Sequence, residues 1–372
     1  MHFELSKSHR RKLELGSAHK PAANSDQTVS PSPGEDPQIL PTAIMTLDFK
    51  TIKPDAAISK ISPKPTEYKA GWICALPEEM AAALGMLDEI FPKPERRKLD
   101  NNIYFAGRIG HLKIVMVCLP YKVVGTTSAT RAAEQMRQAF TRLQFILLVG
   151  VGGGLPSEGV DVRLGDVVVS VPTPTSPGVI QYDYGKEGPD GCFETTGQLN
   201  TPPTELLNAI SLLKAQEALR ISETGLSIEA SIVKLQGIAK DNWLHPGRDK
   251  DLLFRNDYSH KKGQPTCENC DSNYLEDRSQ RVGTQPKIHY GTIGSANQVM
   301  RDGVARERLR VNKNVLCVEM EAAGLMNILP CLVIRGICDY ADSHKNKHWQ
   351  RYAAATAAGY AKELLSVMPQ DR

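Results

Sequence analysis

The sequence predicts an α/β fold, a central sheet with helices on both faces. Three observations predict it. From residue 68 onward, short apolar strands alternate with amphipathic or alanine-rich helices. Hydrophobic residues make up 41% of the 372, enough for a sizeable core. Several of the apolar strands end in glycines or acids, and in such sheets a ligand sits where strand gives way to loop.

Each element follows from its local pattern. YKAGWICAL (68–76) reads as a strand, and EEMAAALGMLDEIF (78–91) as a helix behind Pro77, a residue tolerated in a first helical turn. IYFAGRI and LKIVMVCLP, separated by Gly110 and His111, predict a hairpin. A helix follows at 126–140, and FILLVGVGGG (145–154) is a strand running into a glycine turn. GDVVVSVP (165–172) is a strand, PTELLNAISLLKAQEAL (203–219) a helix, and IHYGTIG (288–294) a strand. VLCVEMEAAGLMNI (315–328) is a strand passing into a helix, CLVIRGICD (331–339) a buried strand, and a helix from about Trp349 to Val367 follows. Residues 1–67 hold two aromatics, Phe3 and Phe49, among Ser/Thr/Pro stretches, so they cannot bury enough surface to offset their ordering entropy and are expected to be a disordered extension. The domain spans 68–370, with a polar, weakly periodic insertion at about 242–281.

Bulk properties exclude several classes. No run approaches the roughly 20 apolar residues of a spanning helix, so no membrane partner is expected. The first residues lack the apolar core of a secretory signal, although two basic clusters there are compatible with targeting. Eight cysteines, mostly inside apolar segments, suit a reducing compartment, and the expectation is cytoplasmic. The net charge of +3 is dispersed, with no basic stripe interleaved with aromatics, so no nucleic-acid partner is expected.

Four strand ends carry the candidate chemistry. Glu78 and Glu79 follow the first strand; they can complement a helix N-terminus or face a ligand. The glycine turn 150–154 lets a ligand approach the main chain, but it lacks the G-x-G-x-x-G spacing and following helix of a dinucleotide site. If the strand persists to Glu321, period 2 places Glu319 and Glu321 on one face, where they need partners: a ligand hydroxyl pair, or a structural arginine such as Arg335. Asp339 ends the most apolar strand, where desolvation favours a protonated, proton-donating form; a helix-capping role is the alternative.

In chain order, the glycine turn followed by LGDVVVS, IHYGTIGSANQVM (288–300), VEMEAA (318–323) and RGICDYAD (335–342) resemble the nucleoside phosphorylase and nucleosidase superfamily. The resemblance is nearest to methylthioadenosine/S-adenosylhomocysteine nucleosidase-like domains of fungal immune-receptor-like proteins. It implies a three-layer α/β/α sandwich with a central mixed sheet, a homodimer or higher homo-oligomer, and no required cofactor. It implies Asp339 as the acid that protonates purine N7 and Glu79 as the carboxylate that positions water. It further implies Glu321 as the ribose hydroxyl acceptor, Met320 as a pad under the sugar, Gly152 and Gly153 in the substrate-binding turn, and Gln298 and Val299 at the base. The expected partner is then a purine nucleoside or nucleotide. Asp339 and Glu79 would cleave the bond through an oxocarbenium-like state, the acid neutralising the leaving base. Phosphate-using relatives usually carry an arginine just before the glycine turn and a hydroxyl within it; here those positions are Leu148 and Val151, which weakens a phosphorylase reading.

Two side motifs remain. Cys267 and Cys270 form a single CxxC, which with His245 and His260 makes a candidate four-ligand zinc site; unliganded thiols are the other reading. The run DSHKNKHWQR, with His344, Lys345, Lys347, His348 and Arg351, is either a solvated helix start or a set of phosphate contacts, since some relatives of the immune-type domains act on ATP.

Overall fold

The computed structural model describes residues 57–189, 193–219, 221, 225 and 227–370. Its strands in chain order are β1 Ala57–Ile58, β2 Ala70–Cys74, β3 Glu89–Ile90, β4 Tyr104–Ile109, β5 Leu112–Cys118, β6 Phe145–Gly154, β7 Val167–Ser170, β8 Val179–Gln181, β9 Gly185–Glu187, β10 Phe193–Thr195, β11 Ile288–Ser295, β12 Val315–Glu319 and β13 Cys331–Asp339. The helices are α1 Pro77–Gly85, α2 Thr126–Ala139, α3 Thr204–Leu219, α4 Ile228–Ile238, α5 Gly303–Lys313 and α6 Gln350–Ser366.

The architecture is the expected three-layer α/β/α sandwich around a mixed sheet. One wing runs β1-β3-β4-β5-β2-β6, and the sheet continues β6-β12-β11-β7-β13. Strand β13 then pairs in parallel with β6 and antiparallel with β7, so five strands close on themselves and leave no free edge between them. Strand β13 is buried along its whole length, which is why it reads as a continuous apolar run. Helix α6 seats against β6 and β13, flanked by α1, α3 and α4. The seat is close: a Cβ on Gly336 of β13 would lie 2.5 Å from the backbone carbon of Ala353, so glycine and alanine set the approach. On β2, a Cβ at Gly71 would meet the Met136 sulfur of α2 at 2.8 Å, so the bare backbone there makes room for that side chain.

The structure differs from the expectations in four places. Residues 1–56 of the expected extension lie outside the described residues, but residues 57–67 are tied to the sheet: Ala57 and Ile58 pair with Glu89 and Ile90, and Glu67 pairs with Lys113 of β5. Pairing two residues long carries no periodic signal. The helix expected over 78–91 ends at Gly85, and Glu89–Ile90 pairs with β4 instead. The glycines at 150–154 are not a turn beyond the strand but its last residues. The helix expected after Glu319 is only a 3-10 turn, Ala322–Gly324, at whose start the Glu319 carboxylate takes the amides of Glu321 (3.1 Å) and Ala322 (3.0 Å).

The insertion is irregular but not detached. It contributes the buried Trp243, Leu253 and Phe254, and its chain is stitched by a bridge between Phe254 and Leu275. No helix among the described residues is long and apolar enough to cross a membrane. Seven cysteines are described and all are free thiols; Cys192 lies outside the described residues.

Candidate active site

The end of β6 is the spine of the site. Its glycines remove Cβ atoms where other groups press in: a Cβ on Gly150 would overlap Glu79 and Arg335, one on Gly152 would lie 3.3 Å from the Arg335 side chain, and one on Gly153 would lie 2.9 Å from Asp339 Oδ1. Gly152 and Gly153 are thus needed for the approach of protein groups. Glu79 thus meets β6 at Gly150 and Val151, and Asp339 meets it at Gly153, distinct stations on one strand.

Glu79 is buried at the start of α1, and both its oxygens are held by main-chain donors. Oε2 accepts from Ala75 (2.7 Å) and Leu76 (3.0 Å), and Oε1 accepts from Val151 of β6 at 2.8 Å. The helix-start reading therefore holds in part: Glu79 closes the first turn of α1 with one oxygen and reaches the sheet with the other. Burial raises its pKa; Arg335 and the three amides act against that rise.

Arg335 is the hub of a buried acidic cluster. Its Nη2 donates to Glu319 and, at 3.2 Å, to Glu321 Oε2. The structural-arginine alternative for the acid pair is therefore realised, most fully by Glu319, which also takes the amides described above. Glu321 is less engaged: its other oxygen accepts from Gly125 at 3.1 Å. Three buried carboxylates surround one guanidinium. Burial and the neighbouring acids push Glu321 up to about 7 against the pull of Arg335, and the same acids raise Arg335 further despite its burial.

Asp339 ends β13 after a register shift between Ile337 and Asp339, which turns its carboxylate toward Gly153. It is buried as expected, but not alone. Oδ1 accepts from Ala341 at 2.9 Å, while Oδ2 receives Cys338 Sγ at 3.1 Å and pairs with Lys345 Nζ at 2.7 Å. Burial opposes the charge on Lys345, and the Asp339 carboxylate beside it outweighs that, so the amine is held charged. Ala341, at φ 53, occupies the left-handed region that disfavours side chains. The turn is clamped from outside: Arg306 donates to the Tyr340 carbonyl (3.0 Å) and Asp342 (3.3 Å), and Arg278 donates to the Tyr340 hydroxyl at 2.9 Å.

A cavity of about 320 Å³ opens on Asp339, walled by Lys250, Cys267, His344, Asn346 and His348. A second hollow, under Trp349 and Tyr352, measures about 20 Å³ and has room for one water, so it is no substrate site.

The remaining expected residues divide. Met320 is half-buried beside Gly125, between the acid cluster and the start of α2. Gln298 and Val299 lie on an exposed loop after β11, which Asn297 ties to α2 by accepting from the Thr126 amide at 2.9 Å. The proposed phosphate trio is not brought together: Lys345 is spent on Asp339, Arg351 pairs with Asp241 at 3.0 Å, and Lys347 is exposed. His245 is not near the CxxC. Its ring stands edge-on to Trp349 and Tyr352, and its Nδ1 accepts from Gly247, whereas His260, Cys267 and Cys270 do converge. Gly125 and Asn297 went unnoticed in the sequence; the only signal was a glycine directly before a helix start.

The fold is of the nucleoside phosphorylase type. Residues 238–366 match the model of the phosphorylase superfamily, which bears out the resemblance read from the motifs. The chain is 45% identical over 317 residues to a nucleotide-binding leucine-rich repeat (NLR)-like protein of Hyaloscypha variabilis, covering 84% of this chain and 31% of that protein, so it spans about a third of that relative. It is 24% identical over 305 residues to a 5′-methylthioadenosine/S-adenosylhomocysteine nucleosidase of Mycobacterium bovis, covering 80% of this chain and 96% of the other. Among solved structures, futalosine hydrolase of Helicobacter pylori matches with a TM-score of 0.51 at 18% identity, covering 80% and 97% of the two chains. An S-adenosylhomocysteine nucleosidase from Streptococcus pyogenes, complexed with 5-methylthiotubericidin, matches at 0.52 and 16% identity, covering 82% and 98%.

Proposed function

We propose that this chain hydrolyses the N-glycosidic bond of a purine nucleoside or nucleotide. One observation carries the reading: two buried carboxylates, Glu79 and Asp339, reach the same glycine-stripped strand from different elements, with Glu321 beside Arg335 in the same cluster. Asp339, with Lys345 as an adjacent proton source, serves the purine N7, so that the base leaves neutral. Glu79 orients the attacking water, and Glu321 takes the ribose hydroxyls. The relatives named as nucleosidases support the reaction class.

Water rather than phosphate is the second substrate in this reading. A phosphate dianion needs cations, hydroxyls or free amides at short range. Here the Val151 amide is already taken by the Glu79 carboxylate, and Leu148 is fully buried. The test is to incubate the protein with adenosine, guanosine, AMP and ATP, with and without phosphate, and to identify the products. Free base with ribose or a 5′-phosphorylated ribose, formed at a phosphate-independent rate, is expected. A strict phosphate requirement with a 1-phosphate product would overturn the hydrolase.

A second reading, a nucleoside-binding sensor without turnover, is favoured by the similarity to an NLR-like protein. It predicts saturable binding of the same nucleosides with no base released.

A further inference from the structure

Three metal-binding side chains of the insertion meet in space. Ligand atoms of His260, Cys267 and Cys270 all lie within 4.8 Å of one another. The local fold explains the convergence: Cys267–Asn269 is a single 3-10 turn closed by the Cys270 amide on the Cys267 carbonyl at 3.0 Å, which brings both thiols of the CxxC to one side. His260 Nε2 lies 3.0 Å from the Thr266 carbonyl. With that nitrogen donating, Nδ1 is left with its lone pair, the way a metal-bound histidine has its tautomer fixed by a carbonyl behind it.

A separate observation stands next to this cluster. His344 is 6% exposed, and neither ring nitrogen has a hydrogen-bond partner among the described residues; Asp342 Oδ2 is 3.5 Å from Nδ1. Its ring lies edge-on to that of His260, 5.4 Å between centroids, and stacks on Phe254 at 4.0 Å. An imidazole buried with both nitrogens unsatisfied is costly, so the fold holds a donor in need of a partner.

We propose that His260, Cys267 and Cys270 bind a zinc ion, and that His344 turns to supply the fourth ligand of a closed tetrahedral site. Two thiolates and two neutral imidazoles balance the charge of the ion, which suits a half-buried position, and four protein ligands leave no open place for catalysis. The role is structural. His260 donates its amide to Ser343 Oγ at 2.8 Å, and Cys267 Sγ lies 3.8 Å from the His344 carbonyl, so the ion fastens the insertion to the segment that follows Asp339. Cys267 and His344 both wall the cavity on Asp339. The proposal stands whether or not the domain turns over a nucleoside.

The test uses the full chain. One zinc per chain is expected by elemental analysis, and a chelator should lower the melting temperature and open the insertion to protease. Cobalt substitution should give visible d–d bands of a tetrahedral site and a near-ultraviolet thiolate charge-transfer band. Cys267→Ser with Cys270→Ser should abolish binding, His344→Ala should keep the thiolate band but change the d–d envelope, and His245→Ala should change neither. Absence of stoichiometric metal, metal retained by the double cysteine variant, or a Cys267–Cys270 disulfide in the protein purified without reductant would overturn the site. An unchanged cobalt spectrum in His344→Ala would overturn the fourth ligand. Should the cysteine variants fail to fold, the zinc content and chelator response of the unmodified chain decide the matter.

Discussion

Asp339 has a neighbour that the sequence placed elsewhere. The cationic run offers Lys345 as part of a solvated helix start or as a phosphate contact, yet it sits 2.7 Å from Oδ2 because the turn through Ala341 brings the chain back over the strand end. Its loss should therefore affect the acid itself: Lys345→Met should depress turnover of adenosine and ATP alike, whereas Lys347→Ala with Arg351→Ala should leave their ratio unchanged. Initial rates on both substrates decide between these; a selective loss of ATP turnover in Lys345→Met would restore the phosphate role. Asp339→Asn keeps an oxygen for the Ala341 amide but has no proton to give, so turnover should fall by roughly 10² or more while the melting temperature stays close to that of the parent. Base-release rates set beside thermal melts check this. Glu321 yields a pH prediction. Its folded pKa of about 7 lies above the ordinary 4.5, so the fold prefers its protonated form; the stability this gives is full below about pH 4.5 and is lost as pH rises through 7. Melting temperatures across that window should fall less steeply for Glu321→Gln than for the unmodified chain. Parallel curves would show that Glu321 does not titrate there.

At the scale of elements, strands with long apolar runs were legible and short or polar ones were not. β6 and β13 announce themselves because burial on both faces forces unbroken apolar sequence. β8, β9 and β10 are three residues each, too short for alternation to register, and α5 is so rich in arginine that its apolar face is thin. Helix α4 was missed although Ser227 caps it and Ile228, Ile232 and Leu235 are spaced along one buried face, signals present in the sequence. The carboxylates were legible as strand ends and Arg335 as a candidate partner, but their other partners were not: Gly125, Lys345 and the Val151 amide lie outside the acids' own strands or beyond their ends and share no local pattern with them. The glycines of β6 can be tested as an element. Gly153→Ala would set a Cβ 2.9 Å from both Asp339 Oδ1 and Ala341 Cβ, so a loss of about 1–3 kcal/mol and a displaced acid are expected. Gly159→Ala, with nothing within 4 Å, should be neutral by chemical denaturation and by rate. Equal behaviour of the two variants would mean that β6 does not need its bare backbone.

For the whole molecule, the α/β class and the mixed sheet followed from alternation and motif order, while the closed five-strand arrangement did not, because pairings such as Ile146 with Cys331 depend on tertiary contacts between distant parts of the chain. That arrangement also bears on how the protein is made. Strand β13 lies between β6 and β7 but is the last of the three to leave the ribosome, so a nascent chain ending before Cys331 holds two apolar strands with their pairing groups unmet and open to wrong partners. Asp339 arrives on the strand that fills this gap. Completion of the sheet and arrival of the Asp339 carboxylate beside Gly153 are thus one event in biosynthesis, and every shorter chain leaves those edges of β6 and β7 without their partner strand.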